Sequence, residues 1–228
     1  MLKCENLKKK YLMTTAVSDL NLEIHGGRIY ALLGPNGSGK STLMKMIVGI
    51  TKPSSGTITL EGEPISYKTK ADIAYMPTEA YFFSYMTCID IGKYYEDFFE
   101  DFDYDKYMKL LAEMDLNPAQ KAREMSSGMM AKLKIAVNLS RSAKVILLDE
   151  PLNGIDIIAR EKIINTIIAN VSDDSAVVIS SHLVDELEKI VDYAIFIKNG
   201  TCVLADDAEM IREKYGKSIV DMYKEIYA

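Results

Sequence analysis

The stretch "GPNGSGKS", residues 34 to 41, constrains this chain more than any other. It fits G-x-x-x-x-G-K-[ST], follows the β-rich run "RIYALLG" and precedes the helical run "TLMKMIVGI". Glycines at these places let backbone N–H groups wrap around a polyphosphate, and the N-terminus of the following helix adds its partial positive charge there. Gly34, Pro35, Asn36, Gly37, Ser38 and Gly39 form the wrap in this reading. Lys40 is placed to reach the β- and γ-phosphates, Ser41 to ligate Mg²⁺, and Thr42 to touch the α-phosphate.

A second motif completes the first. In "VILLDEP" (145–151), four apolar residues predict a buried strand that delivers Asp149 at its C-terminal edge, where ligands of open α/β sheets bind. Asp149 can hold Mg²⁺ through water, and Glu150 follows it, placed to orient and polarise an attacking water. A strand ending in two solvated acids is common in itself. Beside a phosphate loop, the pair points to Mg-nucleotide binding and phosphoryl transfer.

The rest of the chain supplies the matching architecture. β-rich runs recur at "TITL" (57–60), "IAYM" (73–76), "KVILLDE" (144–150) and "SAVVISS" (175–181), while "YAIFI" and "TCVLA" flank the hairpin signal "KNG". Between them, "DIIAREKIINTIIANV" (156–171) places Ile163, Ile164, Ile167 and Ile168 on one helical face. Strands alternating with helices predict a parallel sheet covered on both faces. Residues 79 to 142 break that rhythm with helical patterns such as "DKYMKLLAEM" and no convincing strand, so they are expected to form a helical subdomain. Within them, "EMSSGMMAK" reads locally as a helix start with a serine cap. Ser218 and Asp221 stand at capping-box spacing before a last amphipathic helix.

Bulk properties narrow the setting. The net charge of −6 argues against a surface that coats nucleic acid. Cys4, Cys88 and Cys202 are odd in number, far apart and without metal-like spacing, as in a reducing cytoplasm. No uncharged apolar run approaches the ~20 residues needed to span a bilayer. "YLMTTAV", behind "KKK", is too short and polar for a signal peptide.

"GPNGSGKST", "SSG", "LLDEP", "NGID" and "SSH" occur in the order and spacing of ABC-type ATPases, and the chain resembles that family over essentially its whole length. The resemblance implies an α/β P-loop NTPase: a RecA-like core with an antiparallel β edge (1–78 and 143–228) and an inserted helical subdomain (79–142), together one ABC ATPase domain. It also implies ATP and Mg²⁺ as ligands. It assigns Ser126, Ser127 and Gly128 to a signature that caps ATP held by a second copy in a head-to-tail dimer. A hydroxyl, open amides and a helix N-terminus suit that task. By the same resemblance, Asp156 links the two sites across the dimer and His182 contacts the γ-phosphate with a neutral imidazole. Tyr11 stacks on adenine.

Two positions depart from the family pattern. Met129 stands where the signature normally ends in Gln, and Thr78 where a Gln normally watches Mg²⁺ and water. Thr reaches less far, which puts the coupling in question.

The degenerate signature, the Pro-Thr-Glu loop and the ending "SIVDMYKEIY" look most like ATPases of ABC-2-type exporters. That implies a separate polytopic membrane subunit, a homodimer or a heterodimer with a related ATPase, and a cytoplasmic location on the inner face of the cell membrane. No nucleic acid is expected. The aromatic run at 81–85, ahead of an acidic stretch, is expected to form a groove for a helix of the membrane subunit. Two rivals are a soluble ABC ATPase acting on DNA or ribosomes and a weakly hydrolysing regulatory module. The first usually carries a coiled-coil insertion or two ATPase domains, neither visible here; Glu150 and His182 oppose the second.

Overall fold

The computed structural model describes residues 1–228. Ten strands and eight helices follow in chain order: β1 Leu2–Tyr11, β2 Thr14–Ile24, β3 Arg28–Leu33, α1 Lys40–Ile47, β4 Ser55–Leu60, β5 Glu63–Pro64 and β6 Ile73–Met76. Then come α2 Cys88–Phe98, α3 Tyr104–Glu113, α4 Ser127–Leu139, β7 Val145–Asp149, α5 Ile157–Asn170 and β8 Ala176–Ser181. The chain ends with α6 Val184–Leu187, β9 Tyr193–Lys198, β10 Thr201–Asp207, α7 Ala208–Tyr215 and α8 Ile219–Tyr227.

The main sheet has the order β10-β9-β3-β8-β7-β6. β9, β3, β8, β7 and β6 run parallel, and β10 closes the edge antiparallel to β9. Each central strand is apolar on both faces, because each face meets a different core. Ile29, Ala31 and Leu33 of β3 join Ile146 and Leu148 of β7 in a core shared with α2 to α5 and with α7 and α8. Tyr30, Leu32, Val145 and Leu147 face the other way, onto α1 and the second sheet. That alternation is the period of two expected of a strand buried on both sides.

The second sheet is antiparallel, in the order β2-β1-β4-β5. It is larger than the β edge expected from sequence, and together with α1 it covers one face of the main sheet. The sequence runs miss β1 and β2, the two longest strands. In β1, Leu2, Cys4 and Leu7 are buried, but a bulge around Asn6 (φ +50) breaks the alternation, and three consecutive lysines follow.

Helix starts follow the local chemistry. Thr87 and Asp90 form a capping box on α2, and Asp103 caps α3. Ser126, Asp156 and Ser218 cap α4, α5 and α8 by accepting from Met129, Ala159 and Asp221 backbone N–H groups. One expectation fails. In α5, Ile163, Ile164 and Ile167 are buried while Ile168 is 45% exposed. At ~100° per residue it lies about 140° around the helix from Ile163, past the edge of the apolar stripe.

Between β6 and β7 lie α2, α3 and α4, with a short 3₁₀ turn at Ala122–Glu124. Arg141, just beyond α4, is almost fully buried. Its Nε donates to Asp101 Oδ1 at 2.6 Å, its Nη2 to the Ala71 carbonyl at 2.5 Å, and its guanidinium lies 3.8 Å from the centre of the Phe99 ring.

Candidate nucleotide site

β3 ends at Leu33, and the chain wraps through residues 34–39 into α1 at the C-terminal edge of the parallel sheet. Gly39 has φ +112, and a Cβ there would stand 2.5 Å from the Ala16 carbonyl oxygen, so only glycine fits between the loop and β2. The wrap encloses a cavity of about 290 Å³ lined by Asn36 to Thr42, Thr78, Glu150, Asn153 and Ala16.

Lys40, 5% exposed, folds back so that Nζ donates to the Gly34 carbonyl at 2.7 Å and the Pro35 carbonyl at 3.2 Å. Burial pulls its pKa down, opposed by the nearby Glu150 and Asp149 carboxylates. Its Nζ is 3.6 Å from Glu150 Oε1.

Asp149, 1% exposed, ends β7 under the loop. Its Oδ1 accepts from Ser41 Oγ at 3.1 Å and from Ser180 Oγ at 2.6 Å, and its Oδ2 from Tyr75 OH at 3.5 Å. Glu150 then takes a left-handed backbone (φ +51), uncommon for a residue with a Cβ. Its N–H donates to Ser180 Oγ at 2.9 Å, and its Oε2 lies 2.8 Å from His182 Nδ1. Ser180 and His182 come from the end of β8 and the loop beyond it, so adjacent parallel strands deliver the acids and the imidazole to one edge.

The cavity fits a nucleotide polyphosphate with its metal. Ser38 Oγ and Glu150 Oε1 are buried without a hydrogen-bond partner. The Lys40 ammonium, the loop amides and the N-terminus of α1 supply positive charge, and Ser41 beside Asp149 is an oxygen pair suited to Mg²⁺.

Not every residue expected at the site comes together in one chain. Thr78 lines the cavity and donates to the Asp149 carbonyl at 3.4 Å. Tyr11 does not line it. It ends β1, 46% exposed, with Lys9 Nζ 4.8 Å from its ring centre. Ser126, Ser127 and Gly128 start α4 and do not line the cavity either, Ser127 donating to the Gly154 carbonyl at 3.3 Å. Asp156 caps α5, exposed to solvent. The sequence reading missed Ser180, Tyr75 and Asn153. For Ser180 the available signal was a pair of serines ending a strand otherwise made of Ala, Val and Ile.

A phosphate-wrapping loop between a central parallel strand and its helix, with an acid pair ending a neighbouring strand, defines a P-loop NTPase. The ABC transporter family model matches residues 17–153, and the chain belongs to that family. It is 33% identical over 225 residues to the lantibiotic transport ATP-binding protein SrtF of Streptococcus pyogenes, covering 96% of this chain and 98% of that one. It is 29% identical over 220 residues to the ABC transporter ATP-binding protein YtrB of Bacillus subtilis, covering 95% and 75%. Among solved structures, the ATP-binding subunit of an ABC transporter superposes with a TM-score of 0.88 at 22% identity, covering 99% and 98%. The dimeric ABC cassette MJ0796 superposes with a TM-score of 0.82 at 23% identity, covering 91% and 98%. The chain is thus an ABC ATP-binding subunit and an ATPase. No helix is long and apolar enough to cross a membrane.

Proposed function

We propose that this chain works as a head-to-tail pair that closes on two Mg-ATP and drives a separate membrane subunit, in the direction of export. The observation that carries the pairing is Gly128. Its φ is not positive, and an added Cβ would meet only Ile155 Cγ2, at 4.0 Å. Nothing inside the chain requires glycine there. A close approach from outside would, and Gly128 sits in the first turn of α4, where free amides attract an anion. Ile157 and Ile158, 74% and 83% exposed beside Asp156, add apolar surface for a second copy to cover.

In this reading Lys40 and the loop amides bind the β- and γ-phosphates, and Ser41 and Asp149 hold the metal. The metal would supply charge neutralisation at the phosphates. Glu150 orients and polarises the water, while His182 holds the Glu150 carboxylate and presents its other ring nitrogen to the γ-phosphate. Ser126 and Gly128 of the second copy cap that phosphate.

For the membrane subunit, the support is a cavity of about 320 Å³ roofed only by aromatic and apolar side chains, among them Tyr81, Phe82, Phe83 and Tyr94. Its lining begins at Tyr81, three residues after Thr78, and the exposed Asp97 and Glu100 flank the lining residues Phe98 and Phe99 in sequence. A cytoplasmic helix with an apolar face and basic flanks matches it. Such docking places the chain at the inner face of the membrane. Export follows the relatives: SrtF is named for lantibiotic transport, and the Nod factor export ATP-binding protein I of Cupriavidus pinatubonensis is 27% identical over 234 residues.

The test is the mass of the Glu150→Gln chain by light scattering. With Mg-ATP the mass should double and without it stay that of one chain. An ATP-bound chain that stays monomeric at high concentration overturns the pairing. Isolation from membranes without a polytopic subunit overturns the transport reading.

A further inference from the structure

We infer that Lys134 is a positioning residue that ties the coupling segment Pro77–Glu79 to the signature helix α4. This rests on the pairing just proposed. Lys134 stands two turns into the helix that begins at Ser126 to Gly128, and it is only 4% exposed. Its Nζ donates to three consecutive carbonyls: Pro77 at 2.7 Å, Thr78 at 2.9 Å and Glu79 at 3.1 Å. Those bonds use all three ammonium protons. No carboxylate lies within ion-pair distance, so the only groups bonded directly to the buried cation are the segment's own carbonyls. Burial lowers its pKa, opposed by the Glu79 and Asp149 carboxylates further off.

The surroundings direct this clamp. Asn138, one turn further along α4, donates to Tyr81 OH at 3.1 Å, and Lys134 lies 5.8 Å from the centre of that ring. On its far side the segment touches the site: Thr78 Oγ1 donates to the Asp149 carbonyl, and the Glu79 carboxylate meets Lys45 of α1 at 3.5 Å. Residues 77–79 are therefore held to the phosphate site by Thr78 and Glu79 and to α4 by Lys134. The two turns of α4 between its start and Lys134 carry little bend, so a displacement of the segment moves the Ser126–Gly128 end with it. With the shorter Thr78 in the coupling position, the backbone clamp replaces reach as the means of transmission.

Lys134→Met keeps the stem and removes the three donors. In the Glu150→Gln background, we expect the ATP concentration for half-dimerisation to rise at least tenfold, with Mg-ATP affinity of the monomer within threefold. In the otherwise native chain kcat per nucleotide-binding site should fall at least tenfold, with the sites counted by nucleotide titration, because general destabilisation lowers the number of sites and not the rate at each. If Glu150→Gln alone does not dimerise, the pairing is wrong; if it dimerises and the double variant dimerises equally well, the clamp is wrong. Where Lys134→Met yields no folded protein, amide exchange of the Glu150→Gln chain decides. Mg-ATP should protect the Thr78 and Glu79 amides and those of 126–130 in parallel as ATP is titrated, and protection of 126–130 alone overturns the inference.

Discussion

His182 Nδ1 lies 2.8 Å from Glu150 Oε2, while the other oxygen of the same carboxylate is buried without a hydrogen-bond partner. The imidazole thus fixes one edge of the carboxylate, and the other, 3.6 Å from the Lys40 ammonium, keeps its hydrogen-bonding capacity for water in the cavity. Glu150→Gln should lower kcat by about 10²–10⁴ while Mg-ATP still binds, because an amide is a poor base. His182→Ala should lower kcat by about tenfold or more, since the carboxylate keeps its position at the strand end but loses its orienting partner. Phosphate release under saturating ATP, alongside equilibrium nucleotide binding, checks both.

Lys40 is the only side-chain ammonium lining the phosphate cavity. Lys40→Ala should weaken ATP binding by about 10- to 150-fold, the equivalent of one charge-assisted hydrogen bond worth ~1.5–3 kcal/mol. Fluorescent-nucleotide titration measures it, and native affinity would remove the loop from the mechanism.

Ser180 joins the two acids: it donates to Asp149 and accepts from the Glu150 N–H. Ser180→Ala leaves the buried Asp149 carboxylate short of its closest donor. We expect kcat to fall about tenfold, with ATP affinity within threefold. The Glu150 N–H retains the Ser180 carbonyl at 3.2 Å, so the fold survives.

Phe83 and Tyr85 stack at 5.7 Å between ring centres, both largely exposed. Replacing both by Ala should change stability by less than about 1 kcal/mol, since little apolar surface is buried there. Assembly with the membrane subunit should weaken at least tenfold, as when an interface anchor worth ~2 kcal/mol is truncated. Basal ATPase of the chain should persist. Normal assembly removes the docking reading.

Arg141 provides a stability test. Asp101→Ala leaves a buried guanidinium without its carboxylate and should cost about 3 kcal/mol, or ~6–12 °C in Tm for a chain of this size. The double variant Arg141→Met/Asp101→Leu should lose less than the single one, because both charges leave together. Thermal unfolding followed by circular dichroism separates the two.

The phosphate loop, the buried strand before Asp149 and the caps of α4 and α8 were legible because each is contiguous: glycine spacing, an apolar run, a serine ahead of a helix. The second sheet was not. A bulge at Asn6 disguises β1, and its pairing with β4 joins residues some fifty positions apart. Ile168 shows the same limit on a helix, where periodicity gives a stripe but only the packed neighbours set its width.

The sequence by itself determined that this chain binds a polyphosphate on a strand–loop–helix and carries an acid pair for a metal and a water. Those residues act on what lies within a few bonds of them, so local geometry suffices. Only the tertiary structure decided that His182 grips Glu150, that Ser180 braces Asp149, and that Lys134 holds the carbonyls of Pro77, Thr78 and Glu79. It also left Ser126 and Gly128 out of the lining of their own chain's phosphate cavity. Such relations join distant strands and helices, and they exist only once sheet order and helix packing have brought those elements side by side.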